Sequence, residues 1–170
     1  MKILIAYYSY SQNTKKLANL INKAIEEDFN NIQIDIFNIE PDKPYSSNYN
    51  VVVEDAKKEI SKNYKPKLKS NISSIDNYDI IFIGSPNWWN TFAPPVNTFI
   101  TSFDFSKKII MPFCTHGGGG FGNIQRDIEK TTKSSNVSKI FSVYGSDNSI
   151  LNSSSSIKKW IAIIKNIKTN

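Results

Sequence analysis

The segment Ser9–Thr14 contains the residues best suited to hold a phosphate group. It reads SYSQNT, in which Ser9, Ser11 and Thr14 offer aliphatic hydroxyl groups and Asn13 offers a side-chain amide. An apolar run, Lys2–Tyr8, precedes it and an amphipathic run, Thr14–Glu27, follows it, so it lies between a predicted strand and a predicted helix. The first backbone N–H groups of a helix have no intrahelical partner and lie at the positive end of its dipole. The pattern therefore indicates a phosphate site, although an ordinary Ser/Asn helix cap has the same composition.

Two other kinds of phosphate motif do not describe this segment. It contains no glycine, whereas nucleotide-triphosphate loops and dinucleotide fingerprints need glycines for tight turns and close backbone approach. Lys15 and Lys16 follow it, and in the first helical turn we expect both side chains to face water.

A second unusual segment, SPNWWNTFAPP at positions 85–95, contains two adjacent tryptophans between prolines. On a strand, Trp88 and Trp89 would face opposite directions and one would join the core. In a loop at a ligand site, one ring could instead lie flat over a planar ligand, and such stacking contributes about 1–3 kcal/mol for a nucleic-acid base. Asn90 tolerates a left-handed backbone better than most residues, so a peptide group there could turn toward a ligand.

The third unusual segment, THGGGGFG at positions 115–122, lacks four side chains in succession. Gly117–Gly120 would let backbone N–H groups approach a ligand closely, and a flexible surface loop is the alternative. His116 is the only histidine and stands near Cys114, but a Cys/His metal site needs more ligands than this segment offers. The sequence around Ser85 does not form the G-x-S-x-G turn of a hydrolase.

Strand and helix patterns alternate along the chain. Near-continuous apolar character predicts parallel strands covered on both faces, and the alternation predicts a doubly wound α/β fold with a five-stranded parallel sheet between two helical layers. Because ligands of such sheets bind beyond the carboxyl ends of the strands, the three unusual segments are expected to meet there. The predicted strands are Lys2–Tyr8, Asn31–Phe37, Asp79–Ser85, Lys108–Cys114 and Lys139–Gly145, and the predicted helices are Thr14–Glu27, Val51–Lys62, Pro95–Thr101, Gly122–Thr132 and Ile150–Ile167.

The last predicted helix has one apolar face and one lysine-rich face. A membrane-surface helix has this pattern, but packing on the sheet is favoured. The apolar residues are Ile157, Trp160, Ile161, Ile164 and Ile167, and the lysines are Lys158, Lys159, Lys165 and Lys168.

Composition limits the function classes. A chain of 170 residues fits one domain, no run approaches the length of a membrane span, and the first residues do not form a signal peptide. The net charge is +6, but the lysines are scattered, which argues against nucleic-acid binding. The single cysteine, Cys114, suits a reducing compartment, so we expect a cytoplasmic protein.

Taken together, the three segments resemble the flavodoxins, in particular a short-chain group with a paired-Trp loop. The phosphate loop of that family runs T/S-x-T/S-G-N-T, its second loop G-x-P-x-W-W-G-x-x-x-P-P-V, and its third PFxTHGGxGxG. Positions 9–14, 84–96 and 112–122 match these motifs, except that Gln12 and Asn90 each replace a glycine. The resemblance spans nearly the whole chain.

The resemblance implies the strand order 2-1-3-4-5 and one non-covalent FMN. The first loop would bind the phosphate through Ser9, Ser11, Asn13 and Thr14 and through the N–H groups of Gln12 and Lys15, and the other two would flank the isoalloxazine. The residues implied to contact FMN are Ser9, Tyr10, Ser11, Gln12, Asn13, Thr14, Lys15, Pro86, Asn87, Trp88, Trp89, Asn90, Thr91, Thr115, His116, Gly117, Gly118, Gly119 and Gly120.

The function implied is electron transfer, with single electrons passing between redox partner proteins. Flavodoxins that act as shuttles are typically acidic, whereas this chain is basic, so its partner would be acidic or would dock on a local patch. An NAD(P)H-dependent quinone or flavin reductase on the same fold is the alternative, and a flavin-free interaction domain is a third reading. We expect a monomer rather than a dimer.

Overall fold

A parallel sheet lies at the centre of the fold, which a computed structural model describes for residues 1–166. The strands are β1 (Lys2–Tyr7), β2 (Gln33–Asn38), β3 (Ile80–Trp88), β4 (Thr91–Phe92), β5 (Ile109–His116), β6 (Asn136–Val137) and β7 (Phe141–Tyr144).

The sheet has five strand positions in the order β2-β1-β3-β5, followed by a shared fifth position. The short strands β6 and β7 both pair in parallel with β5, at its beginning and at its end respectively. Counted as one interrupted strand, they complete the predicted order 2-1-3-4-5, which is confirmed.

Helices cover both faces of the sheet, as predicted. On one face, α1 (Asn13–Asp28) and α6 (Ser154–Ile161) pack against β1, β3 and β5 in one apolar cluster. On the other face, α3 (Pro94–Thr101) and α4 (Ile124–Thr131) pack in a second cluster. The remaining helices are α2 (Tyr49–Ser61) and α5 (Asp147–Leu151), and a 3₁₀ turn, Ala162–Asn166, follows α6.

The prediction of one continuous helix over 150–167 is wrong. The segment forms α5, α6 and the 3₁₀ turn. The helix is interrupted at Asn152–Ser153, where the Ser153 hydroxyl donates a hydrogen bond to the Ile150 carbonyl at 2.6 Å. Serine side chains compete with the helical backbone in this way. Packing on the sheet is nevertheless confirmed, since Ile157, Ile161 and Ile164 are buried there. Ile167 and Lys168 lie outside the described residues.

Several further element boundaries differ from the sequence prediction by a few residues, and two of these differences shape the site. β3 continues beyond Ser85 to Trp88 and turns back as β4, so Trp88 lies on a strand rather than in a loop. α4 begins at Ile124 rather than at Gly122, because Gly122 has a φ of +55° that is incompatible with a right-handed helix.

Candidate functional site

The turn between β1 and α1 presents backbone N–H groups outward. Gln12 has a φ of +66°, so it adopts the left-handed conformation that glycine adopts easily, and α1 begins at the next residue. No residue within 1–166 accepts a hydrogen bond from the backbone N–H of Gln12, Asn13 or Thr14. The N–H of Lys15 donates to the Ser9 hydroxyl at 3.2 Å. Three neighbouring donors at a helix N-terminus therefore remain available for an anion.

Two side chains of this turn anchor it to the end of the sheet. Asn13 donates from Nδ2 to the carbonyl of Gly145 at 2.8 Å. The hydroxyl groups of Thr14 and Thr115 lie 2.8 Å apart in a buried hydrogen bond, which joins the first segment to the third. These contacts hold the turn in place, while direct contact of either side chain with a phosphate stays a prediction.

The paired tryptophans belong to a tight hairpin. Trp88 pairs with Thr91 across the antiparallel strands β3 and β4, and the two residues between them, Trp89 and Asn90, have φ values of +49° and +65°. Positive φ at both central residues defines a type I′ turn. The Asn90 carbonyl accepts a hydrogen bond from the N–H of Asn123 at 2.6 Å. The tip of the hairpin is thereby held against the start of α4.

The two tryptophan side chains have different surroundings. Trp88 packs against the core, with its ring centroid 5.5 Å from that of Tyr8, 5.9 Å from Tyr10 and 5.0 Å from Tyr45, each ring being nearly perpendicular to it. Trp89 is 47% exposed, and its Nε1 donates to the carbonyl of Val53 on α2 at 2.9 Å. Trp88 is therefore the tryptophan that joins the core, and Trp89 forms an outer wall of the site.

A cavity of about 330 Å³ opens between the hairpin, the third segment and α2. Its volume lies within the range of small-molecule sites, about 300–1,000 Å³. Of the predicted residues, Tyr10, Asn87, Trp88, Trp89, Asn90, His116, Gly117 and Gly119 line it, whereas Pro86, Thr91, Thr115, Gly118 and Gly120 do not.

The wall contributed by α2 was missed at the sequence level. Tyr49, Val52, Val53 and Ala56 line the cavity. Their spacing of three, four and seven residues marks one face of a helix, so the sequence carried a signal for a shared face. It did not show that this face would meet the tryptophan hairpin.

His116 has a defined neutral tautomer. Its Nδ1 accepts a hydrogen bond from the Gly118 N–H at 3.2 Å, so the neutral ring carries its proton on Nε2. Burial disfavours the imidazolium and lowers the pKa of His116 below its ordinary value. Neutral His116 therefore brings one N–H donor to the cavity wall.

Asn87 joins the second and third segments. Its Nδ2 donates to the Gly120 carbonyl at 2.6 Å, and its buried Oδ1 has no hydrogen-bond partner among residues 1–166. Such an unsatisfied acceptor costs about 1–3 kcal/mol. Cys114, on the neighbouring strand β5, is fully buried, and burial raises its thiol pKa to about 12, so the thiol stays protonated.

Within the described part of the chain, no group of three or more His, Cys, Asp or Glu side chains is arranged to hold a metal ion. None of the helices within residues 1–166 combines the length and the apolar character needed to cross a lipid bilayer.

The fold is that of a doubly wound α/β protein, and the candidate site lies at the carboxyl ends of β1, β3 and β5, where the strand order reverses and such sheets bind their ligands. A family model described as flavodoxin matches residues 2–164. The chain therefore belongs to the flavodoxin family. No curated protein matched it.

Solved structures of flavoproteins share the fold. A candidate flavoprotein from Bacteroides eggerthii DSM 20697 is 29% identical, with 98% of this chain and 99% of that chain covered and a TM-score of 0.79. A candidate flavoprotein from Bacteroides uniformis ATCC 8492 is 30% identical, with coverages of 95% and 97% and a TM-score of 0.77. A flavoprotein from Lactobacillus acidophilus NCFM, solved in complex with FMN, is 24% identical, with coverages of 94% and 97% and a TM-score of 0.67.

Proposed function

We propose that this protein binds FMN and transfers electrons singly between redox partner proteins. The observation that carries the proposal is the meeting of two complementary sites at one edge of the sheet. One is a helix N-terminus with free backbone donors, and the other is a cavity with aromatic walls. Tyr10 belongs to both, since it lies in the first turn and lines the cavity. FMN combines a terminal phosphate with a planar ring system, so its two ends match these two sites.

The residues present fit the cofactor. The N–H groups of Gln12, Asn13 and Thr14 would hold the phosphate, as charge-assisted bonds of about 1.5–3 kcal/mol each. At Gly117 an added Cβ would meet no atom within 4 Å, so the space in front of that backbone is open to a ring. The family membership and the FMN-containing relative support the same assignment.

When bound, FMN supplies the electron-accepting and electron-donating group. The chain's own residues orient it and exclude water: Trp88, Trp89 and α2 form apolar walls, and His116 offers its Nε2–H. Apolar walls and a bound phosphate both disfavour further negative charge in the cavity. We therefore expect the second electron to be harder to add than in free FMN.

The charge of the chain bears on the partner. A net charge of +6 favours encounter with acidic partner proteins through electrostatic steering. The buried, unpaired thiol of Cys114 is compatible with a reducing, cytoplasmic location, which belongs to the same proposal.

The decisive experiment is anaerobic reduction of the FMN-loaded protein, followed in the visible spectrum. Stepwise reduction is expected to show two separate one-electron stages, and direct mixing with NADH or NADPH is expected to be slow. A single two-electron stage with rapid NAD(P)H oxidation would replace the carrier by an NAD(P)H-dependent reductase. If the protein did not bind FMN, both the carrier and the reductase assignments would be wrong.

A further inference from the structure

A second cavity, of about 310 Å³, lies beside the hairpin, between the end of α2 and the helices α3 and α4. Ala56 on α2 lines the cavity assigned to FMN, and Ile60, one helical turn further along, lines the second cavity. Thr91, a predicted FMN contact, lines the second cavity instead of the first. No residue lines both cavities, so a ligand in the second one would not occupy the place of FMN.

The side-chain amide of Asn97 on α3 points to a ligand in the second cavity. Asn97 lines the cavity and is only 8% exposed. Its Nδ2 donates to Oδ1 of Asn63 at 2.9 Å, whereas its own Oδ1 accepts no hydrogen bond from a residue within 1–166. This Oδ1 is absent from the unpaired side-chain atoms that are sealed from solvent, so it opens into the cavity. A nearly buried acceptor without a donor is costly, and a ligand that brings an N–H group would satisfy it.

Side chains of opposite charge line the same cavity from α4. The carboxylate of Asp127 accepts a hydrogen bond from the Thr91 hydroxyl at 2.8 Å and one from Arg126 Nε at 3.3 Å. A carboxylate has about four lone-pair positions, so Asp127 can accept further hydrogen bonds. Lys130 follows Asp127 by three residues and forms no ion pair with the part of the chain that the structure describes. A ligand with both an ammonium and a carboxylate group would therefore meet an opposite charge for each.

The rest of the lining is mainly apolar. Ile60, Phe92 and Pro94 contribute to it, and the ring of Tyr64, which is 50% exposed, lies beside them. Aromatic rings pair favourably with one another when they stack with an offset or meet edge to face. An aromatic group on the ligand would therefore find partners in Phe92 and Tyr64.

We propose that the second cavity binds a free α-amino acid with an aromatic side chain. The ammonium group donates to Asn97 Oδ1 and to the Asp127 carboxylate, and the carboxylate group accepts from Lys130. The side chain packs against Tyr64 and Phe92. The volume of the cavity lies at the lower end of the range for small-molecule sites, about 300–1,000 Å³, which suits a ligand of this size. The site is additional to the proposed electron transfer.

Calorimetric titration with L-phenylalanine tests the proposal. We expect a dissociation constant of about 1 mM or lower. Two analogues each lack one charged group: L-phenylalaninamide, which also imitates the first residue of a peptide, has no carboxylate, and 3-phenylpropionate has no ammonium. Both should bind at least tenfold more weakly. The titration is done with and without FMN, and binding is expected in both, so failure of the FMN assignment would leave this test intact.

Three variants test the residues of the site. Asn97→Ala, Asp127→Asn and Lys130→Gln should each weaken the binding of L-phenylalanine at least tenfold. Lys133→Gln removes an exposed lysine just beyond α4 that does not line the cavity, and it should bind L-phenylalanine like the parent. FMN affinity should stay constant in all four variants, since none of these residues lines the first cavity.

The proposal is overturned if L-phenylalanine does not bind, in which case the cavity holds solvent only. It is also overturned if either analogue binds as tightly as L-phenylalanine, or if Asp127→Asn and Lys130→Gln bind it like the parent. Asn97 is nearly buried, so Asn97→Ala might not fold; the two analogues then decide with the parent protein alone.

Discussion

Gly117 and Gly122 are expected to have different roles, since Gly117 lines the ligand cavity and Gly122 packs against the hairpin. Both lie in the glycine-rich third segment, but their surroundings differ. A Cβ added at Gly117 would meet no atom within 4 Å, whereas one added at Gly122 would lie 2.6 Å from the Asn90 carbonyl oxygen and 2.7 Å from its Cα. The same substitution, Gly→Ala, should therefore act on ligand binding at one position and on folding at the other.

Gly122→Ala should destabilise the protein without the ligand. Alanine at a φ of +55° costs about 1–2 kcal/mol in the left-handed region. The overlap with the Asn90 backbone forces the hairpin away from α4, which breaks the hydrogen bond from the Asn123 N–H and costs about 0.5–1.5 kcal/mol more. The expected loss of unfolding free energy is about 1.5–3.5 kcal/mol, which lowers the Tm by roughly 3–14 °C.

Gly117→Ala should leave the apoprotein intact and weaken FMN binding. Its φ is not positive, so alanine there is unstrained, and the reduced freedom of the unfolded chain can even add up to about 1 kcal/mol of stability. Its methyl group occupies the space in front of the loop backbone that a bound ring would use. We expect FMN affinity to fall about tenfold or more, which corresponds to roughly 1.4 kcal/mol.

Urea unfolding of the two apoproteins and fluorescence titration with FMN measure both effects on the same samples. An equal FMN affinity in Gly117→Ala and the parent would show that this backbone does not face the cofactor. An unchanged unfolding midpoint in Gly122→Ala would refute the close packing of the hairpin against α4.

Three other outcomes are expected. FMN should bind about 100-fold more tightly than riboflavin, because riboflavin cannot use the N–H groups at the start of α1, and equal affinities would contradict the phosphate site. The fluorescence of Trp88, of Trp89 or of both should be quenched when FMN binds. Trp88→Ala should also destabilise the apoprotein, by less than the about 3–5 kcal/mol of a fully buried tryptophan because Trp88 is only partly buried. Trp89→Ala should mainly weaken FMN binding, and a reversed order would contradict their surroundings. For His116, the unfolded state takes up its proton near pH 6.5 and the folded state only at a lower pH, so stability should decline as pH falls from 7.5 to 5.5. In His116→Gln, the part of this loss of stability that comes from His116 should be absent, and urea unfolding at both pH values measures it.

The first turn shows how a sequence departure is resolved by structure. Gln12 stands where the family motif has glycine, and the sequence could not tell whether the loop would change. The structure places Gln12 at a φ of +66° with its side chain exposed, so the turn is kept at the cost of a left-handed conformation. The same holds for Asn90, although the less expected residue in that turn is Trp89, which is also left-handed.

Local pattern was sufficient for most elements. The apolar runs predicted the strands of the sheet apart from the short β4 and β6, and the three segments at positions 9–14, 85–95 and 115–122, which the structure brings to one edge of the sheet, were singled out from residue types alone. The errors fell at Ser153, whose hydroxyl bonds back to the backbone within the last predicted helix, and at Gly122, whose positive φ delays the start of α4. The extension of β3 to Trp88 was missed because the pairing partner, β4, has only two residues.

The sequence by itself determined the order of strands and helices and the three segments that meet at the sheet edge, because periodicity and turn chemistry act between near neighbours. Only the tertiary structure decided which tryptophan faces the core, that α2 closes the first cavity, and that Thr14 meets Thr115. The Thr14–Thr115 contact joins residues 101 positions apart and the Trp89–Val53 contact joins residues 36 apart, and no local pattern encodes them. They arise when the crossover helices bring separate strand ends to one edge.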